Sequence, residues 1–224
     1  MQKKDESGLI QDINAPAAGK RQSRRPRRLT PEREAALFLS RWIKAPHLIG
    51  ALAPSSRGLA RAMAREIDPK GQGAIVELGG GTGSITRALL ERGLPPARLV
   101  VVERDRTLAA LLRTRFPGVR ILHGDAVELV ALLRPLAIEG AAAIVSSLPL
   151  LSLPKQMRRR IVEQSFALLG EHGTFVQYTY GVASPVAAPE FGLIGEVAQR
   201  IWRNFPPAVV WRFRRLAVPV ARVA

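Results

Sequence analysis

The stretch VELGGGTG, residues 76–83, constrains this chain more than any other. It follows a short apolar run, AIVEL (74–78), and precedes a helically spaced segment that Gly93 stops, so the glycines sit where a buried strand turns into a helix. Glycine lets the backbone bend tightly and approach a ligand closely, and the N-terminus of the following helix adds a positive field. Two nucleotide loops are ruled out. In G-x-G-x-x-G, counted from Gly79 through Gly81, the last position is Ser84, and no Gly-Lys-Ser/Thr follows to make a P-loop. What remains is E-x-G-x-G-x-G, beginning at Glu77.

Downstream, RLVVVE (98–103), VRILHGD (119–125), AAAIVSS (141–147) and TFVQYTY (174–180) repeat the pattern of short apolar strands separated by helical segments. This indicates a parallel sheet covered on both faces, an α/β doubly wound, Rossmann-like fold. After Gly181 comes a Pro/Ala-rich loop, then an expected helix ending near Asn204, with AVVWRFRR as a late strand. Glu103 ends the second strand, 20 residues beyond Gly83, where a carboxylate accepts both ribose hydroxyls of an adenosine and disfavours a 2′-phosphate. Asp125, at the tip of the third strand, is placed to accept a hydrogen bond from an adenine amino group.

Ahead of the sheet, residues 1–29 are polar and without hydrophobic period and read as a disordered basic tail. Residues 30–70 read as a helical extension, and 71–224 as the sheet domain. Thr30-Pro31-Glu32 starts a helix with Phe38 and Trp42 on one face, ended by Pro46. A second helix, about 56–67, sets Leu59, Met63 and Ile67 on one side and a stripe of Arg57, Arg61 and Arg65 on another. Each helix either packs on the domain or lies in a lipid interface with its arginines near phosphates. The net charge is +16, of which residues 1–29 hold +5 and residues 200–224 hold +6, so the basic character gathers in the flanks and suits docking to a polyanion. With no cysteine, thiolate catalysis and Cys-ligated zinc are excluded, and three scattered histidines make no metal site. No run approaches about 18 apolar residues and the start lacks a secretory apolar region, so a cytoplasmic protein is expected.

The glycine loop with Glu103 and Asp125 resembles the class I S-adenosylmethionine-dependent methyltransferases over residues 75–180. By that resemblance Glu77, Gly79, Gly81 and Gly83 surround the methionine portion of S-adenosylmethionine, Glu103 the ribose and Asp125 the adenine, with Arg104, Ala126 and Ser146 also at the cofactor. FLSRWIKAPHLIGALAPSSRGLARAM before the first strand, SSLPLLSLP after the fourth and FVQYTYG on the fifth look like the bacterial phospholipid N-methyltransferases over residues 38–215. More distantly, the chain is similar to the rRNA adenine dimethylases. The implied reaction is N-methylation of phosphatidylethanolamine and its mono- and dimethyl forms to phosphatidylcholine, releasing S-adenosylhomocysteine. The enzyme is then expected on the inner face of the cytoplasmic membrane, attached peripherally to an anionic surface.

The acceptor is read from residues 146–154. Adenine-methylating relatives carry Asn/Asp-x-Pro-aromatic after the fourth strand, where an amide grips the exocyclic amine and a ring stacks on the base. Here the aligned residues are Ser147, Leu148, Pro149 and Leu150, with Leu150 and Leu151 expected to make an apolar wall or to belong to the core. Tyr178 and Tyr180, two residues apart on the fifth strand, point to one face and are expected to line a cage for the amine or to pack as core. Tyr178, Tyr180, His47 or water would take the amine's proton. The alternative acceptor is an adenine of rRNA or another nucleic acid, with RIWRNFPPAVVWRFRR touching phosphates and bases.

Overall fold

We describe residues 54–202, 204 and 207–216 from a computed structural model. The expected basic tail, the first helix with Phe38 and Trp42, His47 and the final run AVPVARV lie outside the described residues.

The element order is α1 (Pro54–Arg65), β1 (Ala74–Leu78), α2 (Ser84–Glu91), β2 (Leu99–Glu103), α3 (Arg106–Arg115), β3 (Arg120–His123), α4 (Leu129–Leu133), β4 (Ala141–Ser146), α5 (Lys155–Leu168), β5 (Leu169–Tyr180), β6 (Leu193–Ile201) and β7 (Ala208–Arg215). They form one seven-stranded sheet in the order β3-β2-β1-β4-β5-β7-β6. β1 to β5 run parallel, and β7 enters antiparallel between β5 and β6. The chain starts at β1, steps outward to β3, then crosses back to β4 on the other side of β1. Connections therefore diverge above the tips of β1 and β4, which is where open α/β sheets leave a crevice for ligands.

Because both faces are covered, the strands are apolar without alternation: every residue of β2 is buried. One face packs Ile75, Val101, Val145, Val176 and Val210 under α1, α2 and α3. The other packs Val76, Leu78, Ile144, Phe175 and Phe213 against α4 and α5. α1 and the turn after it place Leu59, Met63 and Ile67 in the first of these cores, each fully buried apolar side chain contributing about 1.5–3 kcal/mol. Arg57, Arg61 and Arg65 stay exposed on its opposite side. Arg61 approaches Glu91 at 3.9 Å, and Glu66, just past α1, pairs with Arg212 of β7 at 3.3 Å. The helix expected at about 56–67 is thus present, and it shares a core with the sheet.

Residues 193–201 correct one expectation. They form the edge strand β6, not a helix. Leu193, Ile194, Val197 and Ile201 recur at helical spacing, yet the segment pairs antiparallel with β7, and a bulge between Val197 and Gln199 breaks its alternation. An edge strand buried at few positions carries no clear period of two. Gly195 lies opposite Phe213, and a Cβ there would stand 2.5 Å from the ring. β5 is also longer than the expected 174–180.

The strand and the helix predict opposite signs for one substitution. In the strand, Gly195→Ala crowds Phe213 and lowers stability by about 1–3 kcal/mol in urea unfolding. In a helix the same change would raise it by about 1 kcal/mol.

Candidate active site

The glycines of the loop do different things. Gly81 has φ +54°, and the nearest atom to a Cβ built on it is the Gly79 carbonyl oxygen at 3.9 Å, so this side of the loop is open for a ligand to approach. Gly83 and Gly80 serve packing instead. A Cβ on Gly83 would meet the Phe116 ring at 2.3 Å, and one on Gly80 would meet Val101 at 2.4 Å. The missing side chain of Gly83 lets α2 settle on α3 and the sheet.

Glu103 braces the loop from the tip of β2. Its Oε2 accepts from the Gly81 N–H at 2.8 Å and its Oε1 from the Asp105 N–H at 2.8 Å. Each carboxylate oxygen keeps a further lone pair for a hydroxyl. Arg115 donates to the Thr82 carbonyl at 2.6 Å, fixing the outer turn. At the tip of β3, Asp125 accepts from the Val127 N–H at 3.1 Å and stands 3.5 Å from Arg104, with Ala126 buried behind it. The structure thus brings Gly81, Glu103, Arg104 and Asp125 to one rim.

Glu77 lies deeper, fully buried below α2. Thr86 donates to its Oε2 at 2.7 Å, while Oε1 has no partner among the described residues. Burial pushes its pKa up from 4.5 to about 8, the Thr86 bonds pull it partly back, and the nearby Glu103 adds a smaller upward push. The carboxyl is therefore largely neutral at pH 7. The open side of Gly81 and the spare acceptor capacity of Glu103 together fit a cofactor with ribose hydroxyls.

The tip after β4 is tied to the same loop. The Ser147 hydroxyl donates to the Gly79 carbonyl and lies 3.2 Å from the Leu78 carbonyl. A Cβ on Gly79 would meet Leu148 at 2.9 Å, so tip and loop are in close contact. Ser146 is buried and its hydroxyl accepts from the Leu148 N–H at 3.3 Å, which makes it a support of the tip, not a group facing the cofactor. Leu150 is core: a 3-10 turn over Leu150–Ser152 carries it inward against α4 and α5, and Leu151, 42 % exposed, takes the outward place. The sequence reading missed Gln177. Its amide donates to the Leu148 carbonyl at 3.0 Å and the Tyr178 carbonyl at 2.8 Å, fixing the peptide bond just before Pro149. The only sign in the sequence was an amide within an otherwise apolar strand.

Tyr178 and Tyr180 stand together, ring centroids 5.4 Å apart at 75°, on the core face. Burial raises the pKa of both phenols, and the Tyr178 hydroxyl bonds to Tyr180, which also bonds Asn204. Phenols held protonated in this way cannot accept an amine's proton at neutral pH, which removes the physical ground for a general-base role. His123 is exposed, 3.1 Å from the Arg104 carbonyl.

No family model matches the chain. It is 35% identical over 188 residues, 83% of this chain and 91% of that protein, to the ornithine lipid N-methyltransferase of Singulisphaera acidiphila. It is 41% identical over 95 residues, 41% of this chain and 32% of that protein, to the ribosomal RNA small subunit methyltransferase A of Bradyrhizobium diazoefficiens. Among solved structures, a TehB-like SAM-dependent methyltransferase from Corynebacterium glutamicum is similar in fold, with TM-score 0.53 and 19% identity over 82% of this chain and 99% of that one.

Glu77 makes stability depend on pH. Its folded pKa is raised, so the folded state holds a proton that the unfolded state has lost, and stability falls as pH rises from about 4.5 to about 8. Glu77→Gln has no such proton to lose. In melts of the ligand-free protein across this range, the variant's curve should fall less steeply than the parent's; parallel curves would contradict the buried neutral carboxyl.

Proposed function

The chain belongs to the class I S-adenosylmethionine-dependent methyltransferases, in the family of the ornithine lipid N-methyltransferase of Singulisphaera acidiphila, and from that premise we propose that it methylates the amine nitrogen of a membrane lipid. The acceptor we propose is phosphatidylethanolamine, carried through its mono- and dimethyl forms to phosphatidylcholine. S-adenosylmethionine, when bound, supplies the methyl group as an electrophile and leaves as S-adenosylhomocysteine. In this reading Gly81 opens the loop to it, Glu103 accepts its ribose hydroxyls, Asp125 with Arg104 and Ala126 meets its adenine, and Glu77 offers an acceptor beneath the loop.

One observation supports a lipid over a nucleobase. Where adenine-methylating relatives hold an amide and a ring, the Ser147 hydroxyl is spent on the Gly79 carbonyl and Leu150 is buried in the core. Neither gripping nor stacking of a flipped base is provided for at those positions. What the tip offers is Leu148, Pro149 and the exposed Leu151, an apolar edge suited to a glycerol or acyl moiety. The rRNA reading, raised by the 95-residue similarity, is therefore secondary. An ornithine lipid is the second lipid reading, favoured by the relative that matches most of the chain.

With both phenols held protonated, the amine's proton goes to water before attack. The chain's contribution is orientation and exclusion of water. Ser147 and Gln177 keep the tip rigid, so the nitrogen meets the methyl in line. Access to lipid is gained at the inner face of the cytoplasmic membrane, with Phe38, Trp42 and the exposed Arg57, near the start of α1, toward the headgroups, while Arg61 and Arg65 lie farther along the helix. None of the described helices is long and apolar enough to cross a membrane.

Labelled S-adenosylmethionine offered with phosphatidylethanolamine vesicles, ornithine lipid vesicles or total RNA should label the first. Label in ornithine lipid alone would install the second reading, and label in RNA alone would sink both. Glu103→Ala should weaken cofactor binding at least tenfold in calorimetry, as expected for loss of charged hydrogen bonds worth about 1.5–3 kcal/mol. Unchanged affinity would remove Glu103 from the site.

A further inference from the structure

A cleft away from the cofactor loop gathers cations that the reaction does not use. It is a small cleft of about 50 Å³, open to solvent, between α5 and the segment joining β5 to β6, lined by Lys155, Arg158, Arg159, Val186, Glu190 and Phe191 among others. Arg159 is engaged: its Nε reaches Glu163 at 2.7 Å and its guanidinium stands 5.8 Å from the Phe191 ring centroid. Arg160, outside the cleft, is paired with Glu128 at 2.8 Å. The side chains of Lys155 and Arg158 make no hydrogen bond or ion pair among the described residues. Glu190 is the single acid among the lining residues, so the cleft is net positive.

The position of these cations sharpens their meaning. They stand on the opening turns of α5, where the first turn holds no acid and the helix field already favours negative charge. Cations there repel that field unless an anion lies between them. Apolar side chains are also exposed at this edge of the sheet. Leu151, 42 % exposed, precedes Lys155 in the tip loop, and Val182, 81 % exposed, follows Tyr180. Both belong to the loops at the carboxyl edge of the sheet. Exposed apolar side chains flanked by unpaired Lys and Arg are the make-up of a surface that settles on anionic lipid.

We propose, building on the lipid reading above, that this cleft binds the phosphate of a lipid headgroup and so holds the carboxyl edge of the sheet, with the tip after β4, against an anionic bilayer. The face presented to the membrane is then the one from which the acceptor amine enters. Lys155 and Arg158 make the charged contact, Arg159 is set by Phe191 and Glu163 as its side wall, and Leu151 and Val182 enter the headgroup layer.

The test is flotation of the full chain with vesicles of phosphatidylglycerol and phosphatidylcholine, without cofactor or turnover. Lys155→Ala/Arg158→Ala should lower partitioning about thirtyfold, the loss expected on removing two near-surface cations. Lys70→Ala/Arg134→Ala removes the same charge from the opposite edge and should change it less than about threefold. Wild-type partitioning of the cleft variant, or equal losses in both, would overturn the site. Potassium phosphate at matched ionic strength should release more protein than potassium chloride, because it competes for the place of the headgroup phosphate; equal release would overturn the phosphate contact. Should the double variant melt early, Arg158→Gln alone, expected to lose about fivefold, carries the same decision. A chain that floats yet methylates no lipid would refute the function above and leave the cleft standing. One that methylates detergent-dispersed lipid and does not float would do the reverse.

Discussion

The hydrogen bonds that clamp the glycine loop between two strand tips are what the rest of the site depends on. Glu103 holds the Gly81 N–H from the β2 side, and the Ser147 hydroxyl holds the Gly79 carbonyl from the β4 side. A glycine-rich loop has a large conformational entropy to lose, and without such ties it would sample many shapes. Clamped, it presents one. The clamp also joins cofactor side and acceptor side mechanically, since the residue that steadies the loop is the first residue of the tip that would meet the acceptor. Gln177 extends the unit by fixing the Leu148 carbonyl from β5. Three parallel strands thus position one small patch of backbone.

Much of this was readable from sequence because its chemistry is carried by residues at successive strand ends. Glu77, Gly81, Glu103 and Asp125 could be placed on the carboxyl edge from the alternation of strands and helices alone, and they lie there. What was not readable depends on contacts between segments far apart in the chain. Nothing near Leu150 announces that a 3-10 turn carries it inward, and nothing near Gln177 announces a bond to a carbonyl 29 residues earlier. The glycines look alike in a string of letters. Only the positions of Phe116 and Val101 separate those that serve packing from the one that leaves room.

The C-terminal part was misread for a related reason. β6 pairs on one side only, with β7, so little of it is buried and its few apolar residues fell at helical spacing by position rather than by need. β7, paired on both sides, was recognised as a strand because its core-facing residues are dense. Burial writes period into sequence, and where burial is thin the period is thin too.

The partly buried pairing of Glu66 with Arg212 reaches further than its own contact. Arg212 also bonds Glu196 at 2.7 Å, so the end of α1 is joined to both β6 and β7. α1 is the earliest described helix, and it rests on strands that are made last. During synthesis its apolar side, with Leu59 and Met63, meets α2 about 20 residues later, whereas this ion-pair joint to β6 and β7 waits until some 150 further residues have left the ribosome. The joint at the end of α1 is therefore among the last of the described contacts to close.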